Sequence, residues 1–178
     1  QKIAGSLAPS AIVASNTSGL SITKLAEVLP DSIKPRFCGI HFFNPPRYMA
    51  LVELIPTPTT QPEILDQLEA FVTTALGKSV VRAHDTPNFI ANRVGVFSIL
   101  AAFHHTQAFG LGLDEVDALT GPLIGRPKSA TYRTADVVGL DTLGHVIETM
   151  KTGLPDDPWH RHYDAPAWFR GLIERGAL

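Results

Sequence analysis

The chain has a single cysteine, Cys38. It therefore holds no internal disulfide, and a reducing compartment, the cytoplasm, is the expected setting. Cys38 lies inside the apolar run FCGIHFF, where a thiol packs as a small hydrophobe rather than acting as a nucleophile. No apolar run approaches the length of a transmembrane helix, and no signal-peptide pattern is present, so no membrane partner is expected. Neither sign of charge dominates. A formal net charge of −2 offers no basic surface to nucleic acid or to an anionic membrane. Internal repeats and low-complexity tracts are missing. So is G-x-G-x-x-G, the turn that brings a pyrophosphate to the N-terminus of a helix in dinucleotide-binding folds. His104-His105 and His160-Arg161-His162 are backed by no cysteine or clustered carboxylates. Adjacent helical residues also point to different faces, so no metal site is expected.

What is present suits a globular chain. Its 178 residues fit one domain or one and a half, and a hydrophobic content of 44% supports a core. The first part reads as α/β. AIVAS, residues 11–15, is short and apolar between Pro9 and Asn16, the mark of a buried parallel strand. SITKLAEVLP reads as a short helix stopped by Pro30. FCGIHFF and LVELI read as two further strands. After them Thr60 is placed to cap a helix, with Pro62 in its first turn and Glu63 completing a capping box. Ile64, Leu65, Leu68, Phe71, Val72, Ala75 and Leu76 form its apolar stripe, and Gly77 ends it. SVVRA follows as a strand, so strand, helix and strand imply a right-handed crossover.

The character changes near Asp85-Thr86-Pro87, beyond which strands disappear. Residues 89–109 read as one long helix, apolar on most faces and hence buried in a core or against a partner. Asp114, then Asp141 or Thr142, then Asp164 are placed to cap three shorter helices. Leu143, Val146, Ile147 and Met150 face inward on the second of these, and Trp168, Phe169, Leu172 and Ile173 on the third. The boundary between the two parts is set at about residue 86.

One segment carries chemistry, GIHFFNPPRYMALVELIP at residues 39–56. His41 ends one apolar stretch and Glu53 is embedded in the next, so strand, break and strand can place them side by side. Imidazole is the side chain best matched to moving a proton near neutral pH. A buried carboxylate beside it fixes the tautomer and stabilises the imidazolium. Read alone, His41 is more readily a satisfied core histidine, and Glu53 can be a partner for lysine or arginine.

The surrounding words narrow the choice. VASNTSGLSI, GIHFFNP with VELI downstream, and DTPNFIANR resemble, in order and spacing, the L-3-hydroxyacyl-CoA dehydrogenase family. DVVGLDT at residues 136–142 is a weaker fourth match. The resemblance implies an α/β plus all-α chain. Residues 1–86 are the C-terminal half of a Rossmann-type NAD-binding domain, its glycine-rich half missing. Residues 87–178 are a helical substrate and dimerisation domain lacking its C-terminal end. QKIAGSL at the start reads as the tail of a helix, as expected of an excised piece.

The activity implied is oxidation of (S)-3-hydroxyacyl-CoA to 3-oxoacyl-CoA with NAD as cofactor, in fatty-acid β-oxidation. By the same resemblance His41 is the general base and Glu53 its partner. Ser18 and Asn92 contact the substrate, and Asn44 lies near the nicotinamide; Asn16 is placed with the cofactor by its position at the C-terminal end of a strand, where open α/β sheets bind their ligands. A serine hydroxyl and an asparagine amide are donors that can follow an oxygen between alcohol and ketone. Ser18 can also serve as a helix N-cap, Asn92 can cap or bridge the long helix, and Arg93 is expected to be structural. The expected partners are the acyl-CoA substrates and a second helical domain, as a homodimer or by intramolecular pairing.

Two departures from the family's pattern stand out. Asn88 occupies a position where glycine is usual, and asparagine tolerates left-handed backbone. GRPKSATYRTADVVGLD, residues 125–141, replaces a shorter run before the last motif, as in dehydrogenases fused to an enoyl-CoA hydratase module. Two other readings are a relative acting on hydroxy acids without CoA, and a non-catalytic association module.

Overall fold

The computed structural model describes residues 6–177. The helix tail read at the start of the chain lies outside the described residues except for Ser6 and Leu7. Four strands form one mixed sheet, β1 (Val13–Ser15), β2 (Phe37–Phe42), β3 (Leu51–Pro56) and β4 (Ser79–Arg82), in that spatial order. β1 runs parallel to β2, β2 antiparallel to β3, and β3 parallel to β4. Only the middle pair is a hairpin. The parallel pairs need crossovers, supplied by α1 (Ile22–Glu27) and α2 (Pro62–Thr74).

Alternation along β2 and β3 gives the sheet two faces. Cys38 and Leu54 point toward Leu65 of α2. Phe37 and Ile55 point toward Ile22 and Ala26 of α1, in a cluster that also takes in Ala83 and Phe89. Close approach of α1 depends on Gly39, because a Cβ there would lie 2.9 Å from two side-chain carbons of Ile22. Burial pushes the Cys38 thiol up to about 11, as expected of an inert core thiol.

Residues 91–177 form a second compact unit, the chain dividing between Ile90 and Ala91. It holds α3 (Ala91–Phe109), α4 (Leu113–Thr120), α5 (Tyr132–Val138), α6 (Leu140–Gly153) and α7 (Ala167–Glu174). Val96, Leu100, Phe103 and Thr106 form the buried stripe of α3. The Phe103 ring lies 5.0–5.3 Å from those of Tyr132, Trp168 and Phe169. Arg93 is structural, as expected, in an ion pair with Asp157. Among the described residues no helix is long and apolar enough to cross a membrane.

Several local expectations are corrected. β1 is only half-buried, as suits a strand whose described neighbours lie on one side. α2 starts at Pro62 without a side-chain cap, because the Thr60 hydroxyl donates instead to the Phe37 carbonyl at 2.6 Å. In its apolar stripe only Leu65 and Val72 are buried, while Phe71 and Leu76 are exposed. The long helix starts at Ala91, because Asn88 and Phe89 both take positive φ, 62° and 51°. Val94 and Phe109 on α3 are exposed, so the helix is not buried all round.

None of the expected aspartate caps is used. α4 follows Gly112, whose N–H donates to Glu115 Oε2 at 2.7 Å, and α6 follows Gly139. α7 starts after Pro166, while Asp164 pairs with Lys151. In the second unit Asp117 is a carboxylate that does cap a helix. Buried on α4, it accepts from the N–H groups of Thr131, Tyr132 and Arg133 at the start of α5.

Candidate active site

His41 and Glu53 face each other directly across the β2–β3 hairpin. Because β-strand side chains alternate, both lie on the α1 face, continuing the line that runs through Phe37, Gly39 and Ile55. His41 Nδ1 is 2.8 Å from Glu53 Oε2, and their side chains are 4% and 1% exposed. With a carboxylate as acceptor, Nδ1 carries the proton. That leaves Nε2 as the nitrogen able to exchange a proton with a ligand.

The second carboxylate oxygen, Glu53 Oε1, accepts from the Ile90 N–H at 2.9 Å. Both oxygens are thus engaged, which a buried carboxylate requires. Two aromatic rings wall the imidazole, Phe43 at 4.5 Å and Phe89 at 5.6 Å between centroids. They shield the pair from water and so strengthen its electrostatics.

Asn16 follows the C-terminal end of β1, and its Oδ1 accepts from the Phe42 N–H at 3.0 Å. Its exposed amide Nδ2 is thereby aimed away from that bond. The bond ties the β1 end to the residue next to His41. Ser18 lies two residues on, exposed, in the loop between β1 and α1. It is not the helix cap, since Ser21 takes that role and accepts from the Lys24 N–H at 3.3 Å. Asn44 is exposed in the loop after β2 and precedes a cis proline.

The first unit therefore pairs His41 with Glu53, ties Asn16 to the backbone beside His41, and places Ser18 and Asn44 on loops flanking them in sequence. Asn92 belongs to the second unit, where it is half-buried in the first turn of α3. An exposed amide donor at the C-terminal end of a parallel strand suits a nicotinamide carboxamide. The residues present fit that end of a dinucleotide, and no glycine-rich cradle for its pyrophosphate occurs in the sequence. Among the described residues no three His, Cys, Asp or Glu side chains gather as metal ligands.

Three further groups beside the pair are given no role by sequence patterns. Periodicity assigns Phe89 to a face of the long helix, but it belongs to the site wall, because its positive φ turns it back onto the sheet. The Ile90 N–H, as a backbone group, has no sequence signal. Asp85 opens the DTPNF motif, which is the one signal that points to it. Its Oδ2 accepts from the Ser21 hydroxyl and the Thr23 N–H, both at 2.8 Å, and its Oδ1 from the Ile22 N–H at 2.9 Å. Burial raises the Asp85 pKa, but these donors outweigh it and hold the carboxyl below its ordinary value.

Comparison with known proteins finds relatives over both units. Residues 1–86 match the family model for the 3-hydroxyacyl-CoA dehydrogenase NAD binding domain. Residues 89–178 match the model for the 3-hydroxyacyl-CoA dehydrogenase C-terminal domain. A probable 3-hydroxyacyl-CoA dehydrogenase of Bacillus subtilis is 48% identical over 165 residues, which are 93% of this chain and 21% of that protein. A probable 3-hydroxyacyl-CoA dehydrogenase of Deinococcus radiodurans is 45% identical over 178 residues, 100% of this chain and 51% of that one. The chain thus spans about a fifth and about half the length of these relatives. The crystal structure of (S)-3-hydroxybutyryl-CoA dehydrogenase PaaH1 from Ralstonia eutropha superposes with a TM-score of 0.85 at 34% identity. That match covers 98% of this chain and 59% of PaaH1.

Proposed function

The chain belongs to the 3-hydroxyacyl-CoA dehydrogenase family, and from that premise we propose that it serves the NAD-dependent oxidation of (S)-3-hydroxyacyl-CoA to 3-oxoacyl-CoA in fatty-acid β-oxidation. The observation that carries the proposal is the buried His41 Nδ1–Glu53 Oε2 contact of 2.8 Å, a proton acceptor already oriented by its carboxylate. NAD would supply the acceptor for the hydride that leaves C3. His41 Nε2 takes the proton of the C3 hydroxyl, and in the reverse direction returns it to the 3-oxo group. Glu53 holds the tautomer that leaves Nε2 free to accept and stabilises the imidazolium that results.

Ser18 is the proposed donor to the substrate oxygen, and Asn92 a second substrate contact. Asn16 and Asn44 are the proposed holders of the nicotinamide. The aromatic wall of Phe43 and Phe89 keeps water from the transferring proton. We also assign the helical unit a pairing role, with a second copy or a repeat within the same protein. Exposed Val94, Phe109, Leu123 and Val137 support it, since apolar surface left open on one unit favours a partner.

The test is oxidation of NADH by acetoacetyl-CoA in the full-length protein. The wild type is expected to turn over, and His41→Ala to lose activity while retaining CoA binding. Near-normal turnover by His41→Ala would remove it from the base role. The 178 residues alone, lacking a pyrophosphate cradle, are expected to be silent.

A further inference from the structure

Asp85 has no part in the chemistry above, yet its carboxylate takes three hydrogen bonds beside the site. Its two oxygens take the Ser21 hydroxyl and the N–H groups of Ile22 and Thr23. Those are the first orphan donors of α1 and the side chain that caps it. With only six residues, α1 is too short to hold itself and takes its place from its contacts. One contact is Ile22 on Gly39. The other is this carboxylate, which reaches back across 62 to 64 positions of sequence.

What α1 fixes is the loop in front of it. Residues 16–20 run from the end of β1 to the cap, and Ser18 is in their middle. One end of this loop is tied by Asn16 Oδ1 to the Phe42 N–H, beside His41. The other end is tied by Asp85 through Ser21. Between the ties the bond from the Leu20 N–H to Thr17 Oγ1, at 3.2 Å, gives modest internal support. Both ties bear on where the loop lies.

The segment that begins at Asp85 also reaches the other half of the site. After Pro87 come the positive-φ residues Asn88 and Phe89. Asn88 Oδ1 lies against the loop, 3.6 Å from where a Cβ of Gly19 would stand. The Phe89 ring lies on His41, and the Ile90 N–H holds Glu53. The stretch from Asp85 to Ile90 thus contacts the serine loop at one end and the His41–Glu53 pair at the other.

We propose that Asp85 is a positioning residue of this site. By clamping the N-terminus of α1 it sets where the Ser18 hydroxyl stands relative to the His41–Glu53 pair. The inference rests on the dehydrogenase reading, and specifically on Ser18 as a substrate contact. It adds a residue that touches neither substrate nor cofactor and acts through another.

A double-mutant cycle separates this from a role in stability alone. Acetoacetyl-CoA reduction is measured in the full-length protein for Asp85→Asn, Ser18→Ala and the pair, with thermal midpoints for all. Asparagine matches the aspartate in shape but offers one acceptor oxygen where two are used, so a donor of α1 is left facing an amide NH2. Asp85→Asn is expected to raise KM and to lower kcat/KM by roughly ten- to a hundredfold, the scale of a small misplacement of a substrate-positioning group. With Ser18 already removed, the same change is expected to cost no more than about threefold, because the group it positions is gone.

A variant that merely folded less would lose apparent kcat at unchanged KM, by the same factor in both backgrounds. That result would overturn the proposal. Ser21→Ala removes the hydroxyl link to Asp85 together with the cap on the Lys24 N–H, and leaves the two backbone bonds to Asp85 in place. It serves as the gentler probe if Asp85→Asn folds poorly, with the same pattern expected at smaller size and the same result refuting it. If Ser18→Ala alone leaves kcat/KM unchanged, the assignment of Ser18 fails and the inference falls with it. If Ser18→Ala is impaired and Asp85→Asn is not, only the inference fails.

Discussion

Glu53→Gln is the sharpest perturbation of the site because it keeps size and shape while removing one acceptor and the charge. In the native arrangement Oε2 receives the His41 Nδ1 proton at 2.8 Å and Oε1 receives the Ile90 N–H at 2.9 Å. Glutamine has one carbonyl oxygen and one NH2, so it serves only one of these donors. If its oxygen stays with Ile90, the NH2 faces Nδ1, and the imidazole must move its proton to Nε2. The nitrogen that should accept a proton is then blocked. If the oxygen turns to His41, the NH2 opposes the Ile90 N–H, a buried donor against a donor.

The first arrangement loses general-base catalysis, worth about a hundred- to ten-thousandfold, or about 2.7–5.5 kcal/mol of barrier. The second costs roughly 1–3 kcal/mol of stability for the unsatisfied buried donor. Activity is read as NADH oxidation by acetoacetyl-CoA, and stability as a urea midpoint, in the full-length protein. The expected outcome is a folded variant with kcat down at least about a hundredfold and KM little changed. A folded Glu53→Gln enzyme whose kcat stays within about threefold of wild type, well below the general-base contribution, and whose urea midpoint is also unshifted, would refute the reasoning.

Gly39→Ala should destabilise by about 1–3 kcal/mol through overpacking, because its Cβ would press on Ile22 and the Ile55 Cβ. Denaturant unfolding reads this, and an unshifted midpoint would mean α1 yields freely. Asp85 is held below its ordinary value, so its contribution is present above the unfolded carboxylate pKa of about 3.9. It is lost as pH falls through the lower folded value. The wild type should therefore lose stability in acid more steeply than Asp85→Asn, and parallel acid-unfolding curves would contradict this. Cys38, fully buried with its thiol pushed up to about 11, should react with a thiol reagent only on unfolding. Rapid labelling of native protein would show the sheet to be more open than described.

The strands that carry the pair are legible in the sequence because two short apolar runs, one broken by a histidine and one by a glutamate, fit little besides paired strands. Asn88 is also legible, since asparagine is one of few residues at ease near φ 62°. Phe89 is not. An aromatic residue at φ 51° contradicts its own preference, and only tertiary packing on His41 accounts for it. Helix starts escape a sequence reading because a cap is decided by competition. Thr60 and Asp164 are drawn to other partners, and glycines at 112 and 139 open the helices instead. Periodicity finds the apolar side of α2 without revealing that Phe71 and Leu76 stay exposed. It reports a face and not what covers it. Asp85 has its partners more than sixty positions away, a distance over which no local pattern speaks.

The hairpin that pairs His41 with Glu53 bears on the order in which the site matures. The two residues are twelve apart, and hairpins close in about 1–10 μs. The acceptor and its carboxylate can therefore meet before any distant segment has docked. The clamp on Glu53 comes from Ile90, 37 positions on, and waits for β4 to join the sheet. Proton chemistry is thus written into a short-range contact, and its rigidity into a long-range one. Changes in later segments should tune how firmly the base is held before they remove it.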